Sequence, residues 1–146
     1  MKEKILLVGA AVVYRKANGK TTWFLVKQKE DSDWELPKTT ARRGESSVRA
    51  VIRAMGEQGG MRAKVLEEVG RGGGAAMLGG RTVPQRYLYY LMINKEGKEV
   101  LGFAAYDWFE YGKAIKKLTT KRDQAMLRGA RDLLKKLEAE KKKKKK

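Results

Sequence analysis

The chain has 146 residues, no cysteine, no histidine and a formal net charge of +17. Disulfides, thiolate nucleophiles, Cys- or His-based zinc sites and an imidazole base are excluded, so any chemistry must use carboxylates, lysine, tyrosine or hydroxyls. A hydrophobic share of 42% suits one domain with a real core, and no apolar run approaches the length needed to span a bilayer.

Met1-Lys2-Glu3-Lys4 precedes the apolar run Ile5 to Val13. The run is short, Glu3 interrupts the basic stretch, and Tyr14-Arg15-Lys16 follows without a small-residue cleavage site, so it reads as a first strand rather than a signal peptide. Asn18-Gly19 supplies the turn of a hairpin between Val12-Val13-Tyr14 and a second strand from Thr22 to Val26. A helix is expected over 46–56. Ala63 to Val69 and Tyr87 to Ile93 read as strands, the second rich in aromatic and β-branched residues, and a further strand is expected from Phe103 to Trp108.

Between the first two of these strands lie Gly70-Arg71-Gly72-Gly73-Gly74 and Leu78-Gly79-Gly80-Arg81. No Gly-Lys-Ser/Thr follows, so this is not a P-loop. Glycine runs carry high conformational entropy, which favours a mobile connection, while Arg71 and Arg81 keep a substrate-binding flap as an alternative. Thr120 caps the last helix, with Asp123 three residues beyond as in a capping box, and Met126, Ala130, Leu133, Leu134 and Leu137 recur at helical spacing. The expected organisation is one domain over 1–137 and a basic tail over 138–146, ending in Lys141, Lys142, Lys143, Lys144, Lys145 and Lys146.

The segment between the hairpin and the third strand carries the candidate chemistry. It contains Trp34-Glu35-Leu36-Pro37-Lys38, then Gly44-Glu45, then Arg53, Glu57, Gln58 and Gly60. Positions 54, 57 and 58 share one face of a helix within a turn. Three carboxylates there would repel one another unless a hard cation such as Mg²⁺ lay between them. This face offers Glu57, the neutral amide of Gln58 and the methyl of Ala54, so its attraction for metal should be low. Glu45 reads as a helix-start residue favoured by the helix dipole, and Arg53 as the i,i+4 partner of Glu57. Lys38 lies in the entering loop.

This spacing resembles the signature of the Nudix hydrolases, G-x5-E-x7-R-E-U-x-E-E-x-G-U with U aliphatic. Glu45, Arg53, Glu57 and Gly60 match it, and Met55 and Met61 fill aliphatic slots. Thr39, Ala54 and Gln58 stand where the family has Gly, Glu and Glu. The resemblance implies an α/β fold, an α/β/α sandwich with a mixed sheet, the box helix on one side and the C-terminal helix on the other. It implies pyrophosphohydrolysis of nucleoside diphosphate derivatives with Mg²⁺ or Mn²⁺, Glu57 and Gln58 holding metal, and Glu57, Arg53 and Glu45 in catalytic positions. Similarity to diadenosine tetraphosphate hydrolases implies that Lys38 faces a phosphate chain; Arg71 and Arg81 are further substrate contacts if the glycine-rich segment is a substrate-binding flap. Glu35, Glu67, Glu68 or Glu110 would be the helper carboxylate of an active enzyme.

Without the six terminal lysines the formal charge is still 17 − 6 = +11. A surface this basic attracts phosphate polyanions without sequence preference. Three readings stand. The chain is a degenerate relative with weakened or lost hydrolysis that binds a nucleotide, a dinucleoside polyphosphate, or RNA and even a ribosome; or it is a working hydrolase; or it is a structural protein-interaction module. In each the expected setting is cytoplasmic, with no membrane.

Overall fold

The computed structural model describes residues 5–97, 100 and 102–144. In chain order the elements are β1 (Leu6–Ala17), β2 (Lys20–Lys27), β3 (Lys38–Thr40), α1 (Ser47–Glu57), β4 (Met61–Leu78), β5 (Arg81–Gly97), β6 (Ala105–Glu110), α2 (Tyr111–Lys117) and α3 (Lys121–Lys144).

The alternation of strand side chains decides the architecture. Along β1, Ala10, Val12 and Tyr14 enter one buried cluster, while Ala11 and Val13 enter another. β2 divides in the same way, Trp23 and Leu25 against Phe24 and Val26. So does β5, with Tyr89 and Leu91 opposed to Leu88, Tyr90 and Met92. A sheet that is apolar on both faces needs a cover on each. α3 brings Leu127, Ala130 and Leu134 to the first cluster, and α1 brings Val51, Ala54 and Met55 to the second. The protein is an α/β/α sandwich with the box helix on one side and the C-terminal helix on the other.

The sheet runs β4-β5-β1-β2-β6, with β3 paired to β1 off this path. β1 and β5 are parallel and the remaining pairs antiparallel, so the sheet is mixed. The Asn-Gly hairpin forms as expected, with Asn18 and Gly19 at φ 53° and 75°. No helix among the described residues is long and apolar enough to cross a membrane.

The glycine-rich connection expected over 70–81 is instead a long β-hairpin. Gly70, Gly72 and Gly74 pair in register with Tyr89, Tyr87 and Gln85, so the segment is part of the sheet, in its edge strand. Their lack of side chains has a packing role. A Cβ on Gly70 would lie 2.9 Å from Met126 Sδ, and one on Gly72 would lie 2.9 Å from Arg122 Nε. The start of α3 therefore rests on bare backbone. Gly79 and Gly80, both at positive φ, make the two-residue turn at the tip.

The strand expected from Phe103 to Trp108 lies two residues later, over Ala105–Glu110, and α2 follows it directly. α3 continues without a break through Glu138 and Glu140 to Lys144, so the expected tail begins as helix. Lys145 and Lys146 lie outside the described residues, as do Met1 to Lys4.

Candidate functional site

The box is built from the loop that enters it. Glu35 exchanges backbone hydrogen bonds with Val26, the Ala11 N–H donates to the Pro37 carbonyl, and β3 pairs with β1. The fully buried Leu36 turns its N–H toward α3, where Asp123 Oδ2 accepts it at 3.1 Å. Asp123 is itself buried at 1% exposure. Its Oδ2 also accepts from Lys38 Nζ at 2.8 Å, and its Oδ1 accepts from the Tyr89 hydroxyl at 2.8 Å. Burial, and next the charge and hydrogen bond of Asp123, push the Tyr89 hydroxyl far above its ordinary pKa.

Two expectations change here. Lys38 Nζ is occupied, donating to Asp123 and to the Leu36 carbonyl at 3.1 Å, with only 21% of its side chain exposed. Asp123 does not close a capping box. Its N–H donates to Thr120 Oγ1, but its carboxylate bridges three elements instead of returning to the cap. The sequence showed an acid in the first turn of a helix. Nothing in it singled out the buried donors that converge on that acid.

At the helix itself Gly44 turns the loop, Ser46 caps α1 and its Oγ accepts the Arg49 N–H. Arg53 donates through two nitrogens to the Glu45 carboxylate, both at 2.9 Å. The Arg53 hydrogen bonds, followed by one from the Arg42 backbone N–H, lower the Glu45 carboxyl to about pKa 2. Arg53 is thus chiefly the partner of Glu45. Its expected pairing with Glu57 is a looser contact at 3.9 Å.

Glu57 is exposed over 61% of its side chain and lies 3.9 Å from Arg42 as well. Ala54 points into the apolar cluster at 2% exposure. Gln58 ends the helix, with its backbone packed under Gly102, whose N–H donates to the Gln58 carbonyl. Of the helper carboxylates, Glu68 is paired with Arg71 at 2.9 Å and Glu110 lies 3.4 Å from Lys20. Among the described residues no three acidic side chains gather where a metal ion could be held. The residues present do not fit a Mg²⁺ site of the kind the box implies. Glu57 lies 3.9 Å from both Arg42 and Arg53, and the carboxylate of Glu45 is taken up by Arg53, so the cluster offers a cation little net attraction.

Arg71 and Arg81 sit on the same hairpin but not together. Arg71 lies seven residue steps along β4 from Leu78 at the tip, roughly 23 Å at the usual rise, and Arg81 stands just past the tip. Beside the box loop, Ile5, Leu7, Ala41, Arg42, Arg43 and Glu45 line an open groove of about 560 Å³.

A family model described as the NUDIX domain matches residues 6–129. The chain belongs to the NUDIX domain family. Its fold is similar to that of a C. elegans Ap4A hydrolase, at a TM-score of 0.69 and 22% identity over 90% of this chain and 99% of that one. It is also similar to the NUDIX domain of Shewanella oneidensis NrtR complexed with ADP ribose, at a TM-score of 0.67 and 16% identity over 91% and 90% of the two chains. The E. coli dihydroneopterin triphosphate pyrophosphohydrolase aligns at a TM-score of 0.64 with 10% identity, over 83% of this chain and 91% of that one. No curated protein matches the chain.

Proposed function

We propose that this chain is a nucleotide-binding member of the family in which metal-dependent hydrolysis is weakened or lost. The observation that carries the reading is the box helix face, where Glu57 stands as the lone carboxylate of the three positions and faces Arg42 and Arg53. A phosphate chain normally reaches such a site through a bridging cation. Here the exposed guanidinium of Arg42 lies beside the carboxylate, and such a group attracts phosphate directly, while that of Arg53 is taken up by Glu45. The groove beside Arg42 and Arg43 falls in the size range of small-molecule sites. Structural neighbours named for Ap4A and complexed with ADP ribose support nucleoside polyphosphates as the class of ligand.

In this reading Glu45 and Arg53 hold the loop against α1, and Lys38 braces the box entry through Asp123. Arg42 and Arg43 take the phosphate-facing role. Gln58 contributes an amide and no charge. A second element of the reading is RNA binding, favoured by the formal charge of +17.

The test is equilibrium binding of diadenosine tetraphosphate, ADP-ribose and ATP, each measured with EDTA and with Mg²⁺ or Mn²⁺, together with product release. Binding should persist in EDTA, should weaken in Arg42→Gln, and should be accompanied by little turnover. Mg²⁺-dependent release of two phosphate-containing products at a typical enzymatic rate, roughly 1 s⁻¹ or more, would establish the working hydrolase instead.

A further inference from the structure

Two grooves flank the far end of the β4–β5 ladder, one on each face of the sheet. The groove on the α1 side is lined by Ile52, Arg62, Lys64 and Lys95. The groove on the α3 side is lined by Lys16, Lys64, Lys95, Lys141 and Lys142 over an apolar floor that includes Leu66 and Leu134. Lys64 and Lys95 belong to both. Lys64 pairs in register with Ile93, two residues from Lys95, so the two lysines are diagonal neighbours across the ladder. The grooves are therefore one track that passes over the edge of the sheet.

Six cations border this track, and Glu138 is the single acid among its described lining residues. That carboxylate already accepts from Lys16 Nζ. Lysines gathered this densely repel one another, and a polyanion in the track relieves the repulsion. Lys141 and Lys142 are presented by α3, which is still helical there, and both line the groove. They are fixtures of the surface, not members of a free tail.

We propose that this track is the binding surface for the phosphodiester backbone of RNA. The proposal rests on the RNA element of the function above and gives it a location separate from the box. The chemistry of the lining selects backbone over base. The sole aromatic residue in it, Tyr14, is 4% exposed and offers no ring for a base to stack on. Lysine heads provide point charges without the fixed fork that reads base edges. The track should accordingly bind RNA and DNA strands of one sequence with similar affinity and with steep dependence on salt.

The experiment is a fluorescence-anisotropy titration at several salt concentrations, using single-stranded RNA and DNA of about 20 nucleotides, longer than the roughly 4–16 that one small domain covers. The full chain is compared with Lys64→Gln/Lys95→Gln and with a control of equal charge change on α2, Lys113→Gln/Lys116→Gln. Each lysine that contacts a phosphate adds ~0.7–0.9 to the slope of log affinity against log salt. The first variant should lose about twice that slope, and the control should lose none. Equal losses in both variants would overturn the track while leaving RNA binding through diffuse charge intact. Salt-insensitive or absent binding by the unmodified chain would overturn the RNA element itself, and the track with it. A preference for RNA over DNA above about tenfold would overturn backbone readout, since lysine charge does not distinguish the sugars. Binding of phosphatidylserine vesicles but of neither oligonucleotide would assign the track to a membrane surface instead.

Discussion

Replacing Asp123 should cost this fold more than changing any residue of the box helix. Its carboxylate accepts three hydrogen bonds, from Leu36 N–H at 3.1 Å, Lys38 Nζ at 2.8 Å and the Tyr89 hydroxyl at 2.8 Å. Leu36 and Tyr89 are fully buried, so neither donor can turn to water once the acceptor is gone. Each stranded donor costs about 1–3 kcal/mol, and removing one partner of a buried ion pair costs about 3–5 kcal/mol. Lys38 retains 21% exposure, which places its share at the lower end. These terms are not additive, and Asp123→Ala should lose about 4–7 kcal/mol, comparable with the roughly 5–15 kcal/mol of a whole domain. Asp123→Asn keeps the shape and one acceptor, so a loss of about 2–4 kcal/mol is expected. Lys38→Met leaves the carboxylate with two donors and should lose about 1–3 kcal/mol. Urea unfolding followed by tryptophan fluorescence measures all three, and the Asp123→Asn/Lys38→Met double variant gives the coupling. A loss below about 1 kcal/mol in Asp123→Asn, or additive effects in the double variant, would refute the node.

Three further outcomes are expected. The Glu45 carboxyl is lowered from 4.5 to about 2, so its ion pair with Arg53 contributes fully above pH 4.5 and is lost as the pH falls toward 2; Glu45→Gln should therefore lower the urea midpoint near neutrality and converge with the parent in acid. A Cβ on Gly9 would lie 2.7 Å from both the Ser47 carbonyl oxygen and Val51 Cγ1, so Gly9→Ala should push α1 off β1 and cost about 1–3 kcal/mol by thermal unfolding. Ala54→Glu puts a carboxylate into an apolar cluster and should destabilise by roughly 1–3 kcal/mol in EDTA. With Gln58→Glu added, Mg²⁺ should raise the melting point and restore phosphohydrolase activity far beyond either single change, and a melting point indifferent to Mg²⁺ would show that the positions no longer converge on a cation.

Most of the sheet was legible because β1, β2 and β5 carry unbroken apolar runs, and a two-residue alternation inside such a run fixes both faces once helices flank it. The Asn-Gly hairpin and the box helix were legible through turn chemistry and spacing. The glycine-rich arm was not. A local reading weighs the entropy of Gly70 to Gly74, but their state is set by partners far along the chain, Tyr87 and Tyr89 in the ladder and Met126 and Arg122 of α3 above it. Asp123 failed for the same reason, since its three donors lie 34 to 87 residues away. Tertiary contacts of that range leave no periodic trace.

The box separates into two sets of residues with different duties. Glu45, Arg53, Met55, Gly60 and Met61 hold the loop, helix and second loop together: the ion pair clamps the loop to α1, the two methionines pack in the core at 2% and 6% exposure, and Gly60 takes a left-handed turn at φ 58°. Together with Glu57, which matches the first carboxylate of the pair, these are the positions at which the chain agrees with the family signature. Ala54 and Gln58, where it departs, are the positions at which the signature places negative charge. Folding needs the first set whether or not a cation ever binds, because their partners are internal. The second set in the family pattern is unfavourable to folding on its own, since clustered carboxylates repel until a cation neutralises them. Replacing two of three with a methyl and an amide removes that repulsion and leaves the scaffold intact. The agreement that identifies the family in this chain is thus agreement in scaffold, while the chemistry of the helix face is set by Glu57 between Arg42 and Arg53.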